Sequence, residues 1–207
     1  MEAILSTLTN ADGSCELKSN ISLVLCGVMG PGDVSSSKRL FDRTNIFLSI
    51  NRLKQRSKEE LASTVRPSVS KSAPLTASFV HNSDRFIFSI VKASIDEFAY
   101  PRTCIEICTQ ELKADGPTDT LHLNSICLAL LDSGIRMHYV FASITIAIRE
   151  IDVILKGKLI GIHSTGEFTI EEHKNALKLA EQSSLELFDF YRQKMQQKFI
   201  YHIKTTL

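Results

Sequence analysis

The stretch from Glu111 to Met137, ELKADGPTDTLHLNSICLALLDSGIRM, constrains the fold more than any other part of the chain. It reads as a strand end, a tight turn at Ala114-Asp115-Gly116-Pro117, and a helix. Apolar residues at Leu123, Ile126, Cys127, Leu130 and Leu131 recur at the spacing of one helix face, which must pack against something. Thr118 or Thr120 is predicted to cap the helix start, and Gly134, after Asp132-Ser133, is free to turn left-handed at its end. A helix start behind a glycine turn gathers free N–H groups and the positive end of the helix dipole, so it can hold an anion. An ordinary turn before an ordinary helix satisfies the same pattern.

The rest of the chain supplies elements on either side. Residues 1 to 11 read as a short lead-in, and Asp12-Gly13-Ser14 as a turn before a strand at Cys15 to Lys18. Ser22 to Met29 is a nearly continuous apolar strand closed by Gly30-Pro31-Gly32, and Thr44 to Ile50 alternates as a third, with Ile46, Leu48 and Ile50 on one face. Asp84 to Ala99 has helical periodicity, with Ile87, Ile90, Val91, Ser94, Ile95 and Phe98 as its stripe, until Tyr100-Pro101 ends it. In the strand that follows, Ile105 and Ile107 share a face, with Cys104, Glu106 and Cys108 on the other. Val140 to Ile148 and Leu159 to Ile162 read as further strands, with little chain between them. Thr169 and Glu172 form a capping box for a last helix whose buried face is Leu177, Ala180, Ser184, Leu187, Phe188 and Tyr191. Strands and helices in this order predict an α+β fold of two packed layers, in one domain over residues 1–207.

The segment from 52 to 82 fits neither period. Arg52, Lys54, Arg56, Lys58, Arg66 and Lys71 stand among serines, and Pro67 and Pro74 break any helix. It reads as a basic, serine-rich insertion loop, and most such loops are simply solvated. The end of the chain, Arg192 to Lys204, is basic with aromatics interleaved, again most simply a solvated helix.

Composition narrows the function classes. A net charge of +1 leaves no global basic field, so nucleic-acid contacts have to be local or shared with partners. No apolar run reaches membrane-spanning length, and no basic segment followed by an apolar one opens the chain. The five cysteines, Cys15, Cys26, Cys104, Cys108 and Cys127, sit mostly in apolar runs without metal spacing, which predicts buried thiols in a reducing, intracellular setting. His122, His138, His163 and His173 offer neither metal spacing nor a nucleophile constellation. No cofactor is implied.

Ala114-Asp115-Gly116, the helix, and Leu131-Asp132-Ser133-Gly134-Ile135-Arg136-Met137 resemble the core of the RNase PH family, where the same spacing joins A-D-G-G-T-R-T to A-D-A-G-I-P-M. Asp12-Gly13-Ser14, Tyr100-Pro101-Arg102 and the run Phe188 to Arg192 are similar to those of the family's exosome members. The resemblance covers about residues 8 to 50 and 84 to 200 and implies a ribosomal-protein-S5-like β-α-β-α domain. In active members the G-T-R turn holds the phosphate that attacks RNA. Here Pro117, Thr118 and Asp119 stand in its place, a degenerate phosphate site with a carboxylate at the arginine position. The acidic pair that assists catalysis in the family has no counterpart between Ile148 and Leu159, so the domain reads as trimmed after its fifth strand or short of a piece near 149–158.

The resemblance therefore implies a catalytically inactive subunit of the exosome core ring, in the nucleus and nucleolus and also in the cytoplasm; the alternative it carries is an active phosphate-dependent 3'–5' exoribonuclease. Its partners are other RNase PH-like ring subunits, cap subunits and RNA, with no membrane and no small-molecule substrate. The RNA contacts it suggests are Arg102, near the former phosphate site, and the cluster Arg52, Lys54 and Arg56 opening the loop.

Overall fold

The structure, a computed structural model, describes residues 1–33, 39–53, 82–116, 118–146, 151–156, 158–164 and 169–206. Lys54 and Arg56, expected to contact RNA, Pro117 of the degenerate phosphate turn, and most of the 52–82 loop lie outside them. Four strands come first: β1 (Glu2–Leu5), β2 (Gly13–Ser19), β3 (Ser22–Gly32) and β4 (Asn45–Asn51). Helix α1 (Asn82–Ser94), strand β5 (Cys104–Lys113) and helix α2 (Asp119–Ser133) follow. Strands β6 (Ala142–Ile146), β7 (Ile151–Lys156) and β8 (Lys158–Ser164) lead to the long helix α3 (Ile170–Thr206). The α+β class is as the sequence implies.

Strands β1 to β5 make one sheet in the order β1-β2-β3-β5-β4. All neighbours run antiparallel except β4 and β5, which are parallel. A parallel pair needs a crossover, and α1 lies within it. Strict alternation decides which face is covered. Val24, Cys26 and Val28 of β3 point inward, as do Ile46 and Leu48 of β4 and Ile105 and Ile107 of β5. The three later strands form a second, antiparallel sheet, β6-β7-β8.

Helix α2 lies at the centre. It packs on β2 and β3 and is flanked by α1, β6 and α3, so every residue from Thr120 to Leu130 is buried. The predicted single stripe is thus buried on all sides, because a second sheet and helix cover what would be its polar face. Gly134 ends it at φ 72°, the left-handed cap expected. Gly13 is required for a different reason: a Cβ there would stand 2.4 Å from the backbone oxygen of Ala129 in α2. Asp132 fastens this end of the helix, accepting hydrogen bonds from the Ser14 N–H at 2.9 Å and from Lys198 of α3 at 2.6 Å.

Some expectations change. The lead-in holds β1, paired along its whole length with β2. Helix α1 stops at Ser94 because Ile95 bridges to Met137, and Phe98, placed in the buried stripe by periodicity, is 68% exposed. The short interval between Ile148 and Leu159 contains β7. The capping box of α3 forms as predicted, with the Thr169 N–H donating to Glu172 at 2.8 Å and the Glu172 N–H to Thr169 Oγ1 at 3.3 Å. Cys15, Cys26 and Cys127 are buried and unpaired, and Cys104 and Cys108 are half-buried. Burial pushes the Cys15 and Cys127 thiols up to about 12, which keeps them protonated and unreactive.

Candidate functional site

Four elements converge where α2 begins. The parallel register pairs Asn51 with Gln110, so the next residues, Arg52 and Glu111, come side by side. Glu111 continues the inward face of Ile105, Ile107 and Thr109, an acid at a core position with 3% of its side chain exposed. Asp84 in the first turn of α1 and Asp119 at the first position of α2 complete the group. The turn before α2 is pinned by Ser22, whose hydroxyl accepts from the Asp115 N–H at 2.9 Å and donates to its carbonyl at 3.1 Å.

Arg52 is the hub. Its Nη2 donates to Asp84 Oδ1 at 2.7 Å and stands 2.6 Å from Asp119 Oδ1, an ion pair without hydrogen-bond alignment; its Nη1 is 4.0 Å from Glu111. Burial pulls the guanidinium pKa down, but Asp84 and Asp119 outweigh it, so the group stays charged. Only 22% of the Arg52 side chain is exposed.

Glu111 organises the inner part of the cluster. It accepts from the Leu53 N–H at 2.8 Å, from the Thr118 hydroxyl, and from His122 Nε2 at 3.0 Å. A carboxylate only accepts, so Nε2 carries the proton, and Nδ1 is left buried without a partner among the described residues. Burial pushes the Glu111 pKa up, but these hydrogen bonds win and the carboxyl titrates below its usual range. Burial lowers the pKa of His122, with Arg52 adding to the fall against the pull of Glu111. His122 is therefore neutral at physiological pH.

Both shifts make the fold acid-sensitive with one sign. A depressed pKa means the unfolded chain takes up protons first, so stability is lost as pH falls. The loss begins below 6.5, the ordinary value of His122, and steepens below 4.5, that of Glu111. A thermal melt followed from pH 7.5 to 4 is expected to fall monotonically. In His122→Asn the first part of that fall should be absent.

The sequence offers Thr118 or Thr120 as the cap and marks Asp119 as a defect, and the structure gives Thr118 and Asp119 other parts. Thr118 makes no side-chain cap; its hydroxyl goes to Glu111. Asp119 suits the helix dipole and is held by Arg52, so the place where a helix start could hold an anion already carries one. Arg52, expected to face RNA, is turned inward. Arg102 is not near this cluster: it precedes β5, whereas Glu111 lies near that strand's far end, roughly 20 Å away. Among the described residues, no group of three or more His, Cys, Asp or Glu side chains is placed to hold a metal ion. Asp84, Glu111 and His122 were missed, although an acid in phase with Ile105 and Ile107 was a readable signal for Glu111.

The chain is similar to known proteins over most of its length. Residues 1–136 match the family described as 3' exoribonuclease family, domain 1. A Schizosaccharomyces pombe protein named exosome complex component rrp46 is 30% identical over 138 residues, covering 66% of this chain and 52% of that protein. The Archaeoglobus fulgidus exosome complex component Rrp41 is 25% identical over 226 residues, covering 94% of this chain and 81% of the relative. The match spans about half the length of the first curated relatives, 52% and 55%. The crystal structure of rice (Oryza sativa) Rrp46 shares the fold at a TM-score of 0.73, over 92% of each chain and at 15% identity. The chain belongs to the 3' exoribonuclease family, whose first domain it carries over residues 1–136.

Proposed function

We propose that this chain is a non-catalytic subunit of an exosome core ring, supporting 3'–5' RNA processing and degradation by assembly rather than by chemistry of its own. The observation that carries this reading is the 2.6 Å contact between Arg52 and Asp119 at the start of α2. A phosphate seated there would meet a carboxylate, and the nearby guanidinium already has two acids to serve. RNA contact then falls to cations other than Arg52. The chain acts as one domain, with the other RNase PH-like ring subunits and the cap subunits as its partners, in the nucleus, nucleolus and cytoplasm.

The test is reconstitution. Co-expressed with RNase PH-like subunits of its own organism, the full chain is expected to elute with them at equal stoichiometry through a sizing step. A chain that stays monomeric beside an otherwise assembled ring would contradict the reading.

A further inference from the structure

The end of the fold remote from the Arg52 cluster carries a second group of residues, largely exposed. The segment before β4 is tied to the turn before β5: the Thr44 N–H donates to the Glu97 carbonyl at 2.8 Å, and the Asn45 N–H to the Thr103 carbonyl at 2.9 Å. These bonds bring Phe41 and Arg102 together, with the guanidinium carbon 5.9 Å from the ring centroid, within cation–π range. Phe98 belongs to the same joined segments. Phe41 is 76% exposed and Phe98 68%, a large apolar area to leave in water.

Arg102 is unusual in two respects. It has no carboxylate within ion-pair distance among the described residues, whereas the charges around it are matched: Arg39 with Asp33, Arg43 with Asp42 and Glu97, Arg136 with Asp96. It also holds φ at 66°, a left-handed conformation that strains a long side chain and that glycine would adopt freely. Among the described residues no carboxylate offsets the charge, and its one aromatic contact is itself exposed.

We propose that Phe41, Phe98 and Arg102 form a docking surface for a neighbouring protein subunit, one that presents an apolar hollow to the two rings and a carboxylate to the guanidinium. Exposed aromatics beside an arginine are the composition of an interface centre, and the matched charges around them form its polar rim. RNA fits less well. Nucleic-acid affinity is built from several unmatched cations, and among its described residues this patch offers one. The inference rests on the ring reading above and assigns it a surface.

The test uses the same reconstituted ring, with affinity measured by titrating labelled full-length chain. Phe41→Ala/Phe98→Ala and Arg102→Glu are each expected to weaken assembly at least tenfold with unchanged thermal melts, since both rings are already in water. Arg102→Gly separates docking from folding: its melt should rise slightly as the strain is relieved, while assembly weakens. Assembly indifferent to all three variants would overturn the inference and leave the ring reading intact. Failure of the wild type to assemble would overturn both. Loss of single-stranded oligonucleotide binding in these variants, with assembly unchanged, would overturn it in favour of a nucleic-acid contact.

Discussion

Arg52→Ala is expected to lower the stability of the chain by roughly 3 kcal/mol, the low end of what breaking a buried ion pair costs, because the side chain keeps some contact with water. The substitution leaves Asp84 and Glu111 buried and Asp119 half-buried, without the one guanidinium that all three share. Lysine is a poor replacement, since a point charge cannot address Asp84 and Asp119 from one planar fork. Removing an acid as well should help: Arg52→Ala/Asp119→Asn is expected to recover about 1 kcal/mol, since neighbouring substitutions in one network do not add. Denaturant midpoints at constant slope measure all of these. A loss within about 0.5 kcal/mol for Arg52→Ala, the range of ordinary surface changes, would contradict the account of the cluster.

The same cluster marks where the sequence could be read and where it could not. Helix α2, its left-handed Gly134 end and the capping box of α3 follow from local spacing, because each depends on residues within a few positions of one another. The inward phase of Ile105 and Ile107 was likewise legible, since period two is a local property of a strand. Asp119 is legible as the wrong residue for phosphate, but its partner is not. It is Arg52, delivered by the parallel pairing of β4 with β5, a contact across dozens of residues that no periodicity encodes. Phe98 failed for the reverse reason. The helical period ran past Ser94 on paper, while the Ile95–Met137 bridge, a tertiary contact, ended the helix.

The other large effect expected is on chemistry. In a phosphorolytic site the attacking anion needs preorganised positive charge, and losing such groups costs about 10²–10³ each in rate. At the start of α2 this chain has Asp119 and a guanidinium already engaged by it and by Asp84. Asp119→Arg does not repair the site, because it would set two guanidinium groups against each other beside a fold already relying on one of them. The most direct measurement of the central claim is phosphate-dependent release of nucleoside diphosphates from single-stranded RNA, with magnesium, by the purified wild-type chain and by Asp119→Arg. No release above the protein-free control is expected from either. Release by the wild type that requires phosphate and follows the chain through a final sizing step would contradict that claim.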